Sequence, residues 1–516
     1  MLLGGHHHPN PTLLKLTVTL FLATLISTFG SSFQYGYNVA SVNSPAPFMK
    51  AFYNATNYDR VGSSFDDGFL ILLWSLTVSL YPLGGFFGSL MVGPLVSKIG
   101  RKGTLLFNNI FSIVPAILMG TSVVAKTFEV IIASRLVVGI CAGLSSNVVP
   151  MYVGEMSPKN LRGGIGIMPQ LMITVGILMA QIFGIRFILG NTQGWPILLA
   201  LTGIPALLEL LFLPFFPESP RYTLLHRGNE DKAKKALQRI RGWEDVDGEI
   251  KEMYQEDQSE KAEGRLSVRN LCSIRPLRWQ LISIIIMNMG QQLSGINAVY
   301  YYADSIYKSA GVREDTIQYV TVATGSVNVV MTVAAIFIVD TWGRRILLLT
   351  GFGTCCLSCV MLTIALVYQT TVPWMPYLSI ACVFAYVIGH AIGPSPIPYV
   401  VTTEMFRQAS RPAAFMVAGS VHWLSNFTIG LVFEFLLNGL GSYCFILFAA
   451  ICLGTFIFIY IVVPETKGKT FLEVSQLMAK RNGIEETMDS KEFQDLNPVS
   501  KDMSKGIKDK VIVTPF

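Results

Sequence analysis

Long apolar runs alternate with polar stretches along the whole chain. Each run is about 20 residues long, the length that an α-helix needs to cross the hydrocarbon core of a bilayer. The runs form two groups of six, at 14–40, 69–96, 104–124, 129–152, 164–186 and 196–216, and at 278–302, 317–339, 346–368, 377–402, 412–436 and 442–463. The pattern predicts an all-α membrane protein with twelve transmembrane helices, called spans 1 to 12, in two six-helix halves.

A charged stretch separates the two groups of runs. It is rich in helix-forming residues with scattered apolar positions. This composition favours short cytoplasmic helices that join the halves, although a disordered linker would also be charged. We therefore divide the chain into an N-terminal segment, a first bundle, a linker, a second bundle and a cytoplasmic tail, at 1–13, 14–216, 217–277, 278–463 and 464–516.

Three motifs occur once in each half, separated by 243 to 249 positions. Gly-Arg followed by a basic residue comes after spans 2 and 8, and Pro-Glu comes after spans 6 and 12. A glutamate with an arginine seven residues later follows spans 4 and 10. The nearly constant shift indicates a duplicated six-helix unit. Two parallel repeats that enclose a site near the bilayer midplane are the architecture of major facilitator transporters.

The loops between spans fix the expected orientation. Basic loops fall on one side of the membrane, at 97–103, 157–163, 341–345 and 406–411. Because lysine and arginine accumulate in cytoplasmic loops, this side and both termini are predicted to be cytoplasmic. The first loop on the other side carries Asn54 in Asn-Ala-Thr, an acceptor for N-glycosylation. We expect a multi-pass protein of the plasma membrane.

Composition narrows the function. Only 14% of the 516 residues are charged, against about 25% in soluble domains, and the mean hydropathy is +0.49. The net charge of +6 is accounted for by the loops and does not indicate nucleic-acid binding. The eight cysteines lie mostly inside apolar runs without metal-binding spacing. No nucleophile–base pair stands out, so we predict no enzyme activity, metal or cofactor.

Charged residues also lie at the cytoplasmic ends of the spans. Ion pairs among them could hold the halves together while that side is closed, and opening would break them. The arginines are also explained by the enrichment of basic residues in cytoplasmic loops, without any role in holding the halves together. That enrichment does not explain the paired glutamates. The predicted latch residues are Arg101, Glu155, Arg162, Glu218, Arg344, Glu404 and Arg411.

Neutral polar side chains lie inside the spans. In span 7, "GQQLSGINAVYYY" places Gln291, Ser294 and Asn297 on one face at helical spacing. Each such group alone could make only an interhelical hydrogen bond. Together, the amides, hydroxyls and aromatic rings suit an uncharged polyhydroxyl ligand. The other groups are Tyr35, Gln170, Gln181, Gln292, Tyr300, Asn328, His390, Ser395, His422, Trp423 and Asn426.

Acidic residues are nearly absent from the middle of the spans. A proton-coupled transporter needs an ionisable relay in the membrane, and the candidates are Glu209 in span 6 and Glu434 late in span 11. Asn38 in span 1 cannot titrate, while His390 and His422 could. No ATP-binding loop of the GxxxxGK[ST] type occurs. These features favour passive uniport.

Span 10 contains helix-breaking residues next to His390. Gly393, Pro394, Pro396 and Pro398 remove or weaken helical hydrogen bonds, which membranes tolerate where the chain lines a cavity or is buried in protein. We predict that they break span 10, so that its outer half bends during gating. Proline kinks without a gating role are the alternative.

Several motifs resemble those of the sugar porter family of the major facilitator superfamily. They occur in both halves, over residues 15–480, as "GRKG", "GEMSPKNLRG", "PESPRYTLL", "GQQLSGINAVYYYA", "GPSPIP", "TEMFRQASRPAA" and "VPETKGKTF". Within this family, "FGSSFQYGYN", "GHAIGPSPIP" and "VHWLSNF" are similar to the fructose-transporting branch of the animal facilitative hexose transporters.

The resemblance implies a sugar site at the membrane midplane between the halves. By motif, it would be formed by Tyr35, Gln170, Gln291, Gln292, Asn297, Asn328, His390, Ser395, His422, Trp423 and Asn426. Two positions depart from the fructose-type pattern: Tyr399 replaces a small residue, and Glu434 replaces a proline.

The sequence therefore predicts facilitative transport of a hexose, with D-fructose favoured, by alternating access. A glucose-preferring or broader hexose or urate transporter is the first alternative, and a non-transporting sugar sensor is the second. We expect a monomer in the lipid bilayer. The C-terminal Thr514-Pro515-Phe516 weakly resembles a PDZ-domain ligand, although an inert tail is the better explanation.

Overall fold

The computed structural model describes residues 16–158, 162–263, 271–272, 277–406, 411–467 and 471–481. These ranges are helical and contain no strand, so the predicted all-α class is confirmed. The first half contains α1 Val18–Ser27, α2 Phe33–Ala40, α3 Ala46–Val61, α4 Asp67–Asn108, α5 Ile110–Gly120, α6 Glu129–Met156, α7 Arg162–Phe183, α8 Trp195–Ala200 and α9 Gly203–Phe212. The linker contains α10 Pro220–Leu225, α11 Glu230–Arg241 and α12 Asp247–Glu263.

The second half repeats the arrangement of long apolar helices. It contains α13 Arg278–Leu293, α14 Ile296–Ser309, α15 Glu314–Trp342, α16 Arg344–Val367, α17 Met375–Ile392, α18 Ile397–Met405, α19 Arg411–Leu440 and α20 Cys444–Val462. A further helix, α21, covers Phe471–Arg481.

Seven helical segments of the described chain are long and apolar enough to cross a membrane. Two of them, Asp67–Gly120 and Ala413–Val462, have 54 and 50 residues, and each contains two predicted spans. Met168–Phe183 is a shorter apolar helix at span 5. Spans 1 and 7 are divided into shorter helices, so all twelve predicted spans have a helical counterpart.

Span 1 is interrupted by a π-helical turn, Thr28–Ser32, between α1 and α2. The turn packs against span 6, where a Cβ on Gly30 would lie 1.9 Å from Glu209 Oε2. The Ser31 hydroxyl lies 3.1 and 2.9 Å from the two Glu209 carboxylate oxygens, and Asn109 Nδ2 donates to one of them at 3.4 Å. The mid-span acid of span 6 is therefore fully buried and hydrogen-bonded inside the first half.

Span 7 is broken at Gly295, which joins α13 to α14. Its φ of 102° lies in the left-handed region, where a residue with a side chain would be strained. The prediction that Gln291, Ser294 and Asn297 share one continuous helical face is therefore wrong. Ser294 ends the first helix, and Asn297 belongs to the second.

The linker helices pack on the first half. The side chains of α10, α11 and α12 form a small apolar core, which includes Leu224, Leu237 and Ile250. Arg241 Nη1 donates to the carbonyl of Met156 at 2.6 Å, and Thr17 Oγ1 donates to that of Ile240 at 2.5 Å. These contacts hold the linker against the ends of α6 and α1.

Candidate functional site

The break in span 7 brings two amide side chains and an imidazole together in the second half. Asn297 Nδ2 at the start of α14 donates to Gln292 Oε1 of α13. Gln292 Nε2 lies 3.1 Å from His422 Nδ1 of α19. A chain of polar groups thus runs across three helices, and both amides are buried.

Span 10 is also broken, and His390 lies at the break. The helix α17 ends at Ile392, and α18 begins at Ile397. His390 Nε2 is 2.9 Å from the carbonyl oxygen of Gln291, and its Nδ1 is 2.6 Å from the Ser395 hydroxyl. A carbonyl only accepts, so Nε2 carries the hydrogen and Nδ1 accepts from Ser395 in the neutral ring.

A reciprocal hydrogen bond completes this contact between the two broken spans. Gln291 Nε2 donates to the carbonyl oxygen of Ser395 at 2.7 Å. The backbone of Ser395 lies where the break leaves carbonyl groups without helical partners. Gln291 and His390 together therefore join α13 to the broken segment of span 10.

An aromatic group connects the two halves beside these polar side chains. The ring of Trp423 in α19 lies 5.4 Å from that of Tyr35 in α2 and 5.2 Å from the imidazole of His422, between centroids. A Cβ on Gly85 of α4 would lie 2.5 Å from Trp423 Cε3. Gly85 in the first half therefore leaves room for the indole ring of Trp423 in the second half.

Three adjacent tyrosines of α14, of which Tyr300 is one of the polar groups considered from the sequence, make further contacts in the second half. Tyr301 donates to Asn426 Oδ1 at 2.9 Å, and Tyr302 donates to the carbonyl oxygen of Gly430 at 3.0 Å. The side chain of Tyr300 lies close to that of Asn328 of α15. The repeated tyrosines in "NAVYYYA" were the available signal, because three adjacent phenols inside a span need partners.

Two glutamines of α7 differ in their surroundings. Gln170 is exposed. Gln181 is buried, and its two amide atoms make no protein hydrogen bond. Its Oε1 would lie 1.8 Å from a Cβ on Gly325 of α15, so this amide faces the other half.

At the end of the molecule that carries Arg101, here called the Arg101 end, ion pairs join helices within each half. Arg101 Nη2 is 3.0 Å from Glu155 Oε1, and Arg344 Nη2 is 2.8 Å from Glu404 Oε1. Hydroxyls of Ser219 and Thr466 donate to the same two glutamates. The side chains of Arg162 and Arg411 lie outside the described residues, so their predicted role in the latch stays a prediction.

The Pro-Glu motifs supply a second carboxylate in each half. Glu218 Oε1 accepts from the backbone N–H of Arg101 at 3.1 Å, and Glu465 Oε1 accepts from that of Arg344 at 3.0 Å. Burial would raise the pKa of Glu465, but the backbone N–H groups of Arg344, Lys467 and Arg345 outweigh it and lower the pKa. The motifs therefore anchor the start of α16 after Gly343 and the part of α4 that follows the kink at Gly100.

At the opposite end, here called the Asn54 end, polar contacts join the two halves. Asn43 Nδ2 donates to Asp304 Oδ1 at 3.1 Å, and the Asp304 backbone N–H donates to Asn43 Oδ1 at 2.9 Å. The backbone N–H of Arg186 donates to Gln318 Oε1 at 2.5 Å.

An ion pair between the halves also lies at the Asn54 end. Lys50 of α3 pairs with Glu434 of α19, and their side chains are 26% and 10% exposed. This contact gives a physical reason for the acid at position 434, which the sequence left unexplained. The signal in the sequence was Lys50 itself, a cation near the outer end of span 1 in a loop region otherwise poor in lysine.

Other predicted features have local roles or lie outside the description. Asn54 is half-buried, and its Oδ1 accepts from the backbone N–H of Phe65 at 3.2 Å. The side chain of Tyr399, the N-terminal segment 1–13 and the C-terminal Phe516 lie outside the described residues.

Comparison with known proteins identifies the family. The family model "Sugar (and other) transporter" matches residues 23–478. The chain is 64% identical over 489 residues to the human solute carrier family 2, facilitated glucose transporter member 5, covering 95% of this chain and 98% of that protein. Its identity to the sheep protein of the same name is 64% over 470 residues, covering 91% and 94%. Human member 7 is 56% identical over 484 residues, covering 94% of each.

Solved structures show the same fold. The partially occluded inward-open conformation of the xylose transporter XylE from E. coli matches with a TM-score of 0.74, at 23% identity, over 88% of this chain and 100% of that one. The proton:xylose symporter bound to 6-bromo-6-deoxy-D-glucose matches with a TM-score of 0.70, at 24% identity, over 90% and 99%. These matches confirm the predicted major facilitator fold. The family model and the relatives confirm a multi-pass sugar transporter that is not an enzyme. The chain therefore belongs to the sugar transporter family.

Proposed function

We propose that this protein transports a hexose down its concentration gradient, with D-fructose as the favoured substrate. The observation that carries the proposal is the row of neutral amides, imidazoles and hydroxyls around Gln292, His390 and His422, beside the Trp423 ring. Sugars bind through many neutral hydrogen bonds and an aromatic face, without a buried charge. The similarity of "GHAIGPSPIP" and "VHWLSNF" to the fructose-type pattern favours fructose over glucose.

The sugar would bind between the halves. Gln181 contributes a buried amide with no protein partner, and Trp423 and Tyr35 contribute rings from opposite halves. The remaining ligand groups come from the predicted set, namely Gln170, Gln291, Gln292, Asn297, Asn328, His390, Ser395, His422 and Asn426. Several of these side chains are hydrogen-bonded to one another. A sugar hydroxyl would therefore replace an existing hydrogen bond within the protein rather than satisfy an unpaired donor or acceptor.

Transport would follow alternating access. The contacts between halves at the Asn54 end hold that end closed, so the site is reached from the Arg101 end in this conformation. Rocking of the halves would break the Asn43–Asp304 and Lys50–Glu434 contacts and bring the Arg101 ends together. Arg162 and Arg411 would then join the predicted latch. We place the Arg101 end and both termini in the cytoplasm, in a plasma-membrane protein with a glycan on Asn54.

The break in span 10 would act as the gate. Residues 393–396 separate α17 from α18, and Gln291 and His390 join this segment to span 7. A bend there would therefore be coupled to the helix that holds the amides. Replacing Pro394 and Pro396 by alanine should slow transport, and full activity in that variant would contradict the gating role.

The arrangement disfavours the rival functions. An anion such as urate needs a cation in the path, but Arg135 is fully buried. Arg135 donates to the carbonyl oxygens of Asn38 and Thr77 at 2.8 and 3.1 Å. A proton-coupled mechanism needs a free acid in the path, whereas Glu209 and Glu434 are bound to Ser31 and Lys50.

Uptake by purified protein in liposomes tests the proposal. We expect labelled fructose to enter without an imposed proton gradient, and excess glucose to leave the uptake unchanged. Gln292→Ala should reduce uptake at least about tenfold, because its partners His422 and Asn297 lose a buried hydrogen bond. The matched control is Gln193→Ala at the exposed surface. Glucose competition would overturn fructose selectivity, and no uptake of either sugar would favour another cargo or a sensor.

A further inference from the structure

The linker helix α11 has one apolar face and one basic face. Ala233, Leu237 and Ile240 are buried against the neighbouring helices. Lys232 and Arg239 are exposed, and a separation of seven residues places them on the same side of the helix. The basic face is therefore available to a partner outside the protein core.

This basic face lies at the edge of the transmembrane region. Arg239 Cζ is 5.9 Å from the centroid of the Phe216 ring, directly after span 6. Lys102, which precedes span 3, donates from Nζ to the carbonyl oxygen of Pro214 at 3.2 Å. Nearby on span 6, the side chain of Phe215 is 68% exposed, as expected of a residue that faces lipid.

The charges of Lys102, Lys232 and Arg239 lie near one another. Lys232 and Arg239 are close enough to Lys102 for their charges to repel it, and Glu218 is the acid that attracts it. Glu218 already accepts hydrogen bonds from the backbone N–H groups of Arg101 and Lys102. The cluster therefore keeps net positive charge beside a lipid-facing surface.

We propose that Lys102, Lys232 and Arg239 form a binding surface for the anionic headgroups of phospholipids in the adjacent leaflet. Clustered basic residues next to a span attract acidic lipids, and the cytoplasmic leaflet is the acidic one. A headgroup phosphate or carboxylate would lie among the three cations while its acyl chains contact Phe215. Occupation would fasten α11, and with it the linker, to the membrane. The inference concerns a lipid and holds whichever sugar is carried.

Thermal unfolding in nanodiscs tests the lipid surface. The full chain is placed in phosphatidylcholine discs that contain from none to about a third phosphatidylserine. We expect phosphatidylserine to raise the unfolding temperature of the wild type. The triple variant Lys102→Gln, Lys232→Gln, Arg239→Gln should lose most of this rise. Retention of phosphatidylserine after detergent extraction, measured by native mass spectrometry, should fall at least about tenfold, because each basic group near the surface contributes to binding.

A second lysine of α11 supplies the matched control. Lys234 is paired with Asp247 at 2.9 Å, so Lys234→Gln should keep the wild-type response to phosphatidylserine. An unchanged response in the triple variant would overturn the proposal, as would an equal loss in the Lys234 variant. Stabilisation of the wild type by inorganic phosphate in pure phosphatidylcholine discs, to the same extent, would replace the lipid with a free anion. Sugar uptake is not a readout, so failure here leaves the transport proposal untouched.

Discussion

The two ends of the molecule use polar contacts in different ways. At the Arg101 end, the pairs Arg101–Glu155 and Arg344–Glu404 each join helices of one half, and the two sets are related by the internal duplication. At the Asn54 end, Asn43 and Lys50 of the first half bind Asp304 and Glu434 of the second. These outer contacts have no duplicated counterpart among the described residues.

The difference separates two roles of charged groups in one transporter. Contacts within a half persist when the halves rock, so they maintain the shape of each rigid body. Contacts between halves exist in one conformation and are lost in the other, so they set the ratio of the two states. The duplicated ion pairs therefore mainly stabilise each folded half, whereas the unduplicated contacts set the ratio of the two conformations.

The largest effect should come from breaking a pair within a half. Arg344→Gln leaves Glu404 without its cation in a partly buried position, and Arg101→Gln does the same to Glu155. We expect each change to destabilise the protein by about 2 kcal/mol, less than a fully buried pair would, because the side chains keep some contact with solvent. Thermal unfolding in detergent measures this effect, and Arg313→Gln at an exposed pair is the control.

If only one of the two variants lost stability, the equivalence of the two halves would be wrong. If both kept wild-type stability but lost transport, the pairs would act in gating rather than in folding.

The pair between Lys50 and Glu434 should have the next largest effect, on conformation rather than stability. Lys50→Gln removes an attraction that exists only when the Asn54 end is closed, so the ratio of the two states should shift about tenfold toward opening there. Spin labels at the exposed positions Val61 and Leu440, with Cys272 replaced by serine, would report a longer distance.

The charge reversal Lys50→Glu with Glu434→Lys should restore the wild-type distance distribution. An unchanged distribution in Lys50→Gln would show that the ion pair does not influence closure.

A smaller shift in the same direction should follow Asn43→Ala. This change removes two hydrogen bonds to Asp304, but Thr321 still donates to Asp304 Oδ1 at 2.7 Å and partly satisfies it. Because Thr321 compensates for part of the loss, we expect a change of about threefold in the ratio of states, or about 0.6 kcal/mol, near the low end for a neutral hydrogen bond. The same pair of spin labels measures it, and an effect larger than that of Lys50→Gln would reverse the assigned order.

The smallest effect concerns pH at the Arg101 end. Because the pKa of Glu465 is lowered in the folded protein, its carboxylate contributes stability above its ordinary pKa of 4.5 and loses it only as the pH falls further. Between pH 5 and 8, wild type and Glu465→Gln should therefore differ by a constant amount in unfolding temperature. Below about pH 4 the difference should shrink. A difference that disappears already near pH 6 would contradict this assignment.

Much of the fold followed from the apolar runs and the repeated motifs. Span boundaries depend on hydrophobic length, a local property that the sequence displays directly. The pairing of Arg101 with Glu155 and of Arg344 with Glu404 could be predicted from the sequence, because the duplication places the two pairs at equivalent helix ends. The contacts of Ser219 and Thr466 with these glutamates could also be predicted, since a hydroxyl residue follows each Pro-Glu motif.

The geometry of the site was harder to predict from the sequence. The break at Gly295 depends on a backbone conformation that "LSGINA" permits but does not require. The contact of His390 with the Gln291 carbonyl depends on two breaks meeting in space, which no local pattern encodes. Likewise, Lys50 and Glu434 are 384 positions apart, and only the closed Asn54 end brings them together.

The glycines that precede Arg101 and Arg344 have a genetic consequence. Gly100 and Gly343 have φ values of 81° and 86°, and a Cβ there would lie 2.6 and 2.7 Å from a carboxylate oxygen of Glu218 and Glu465. Every missense change in either codon adds that atom and strains the backbone. Inherited variants at these two positions should therefore behave as loss-of-function alleles through poor folding, with equal severity in both copies of the ancient duplication.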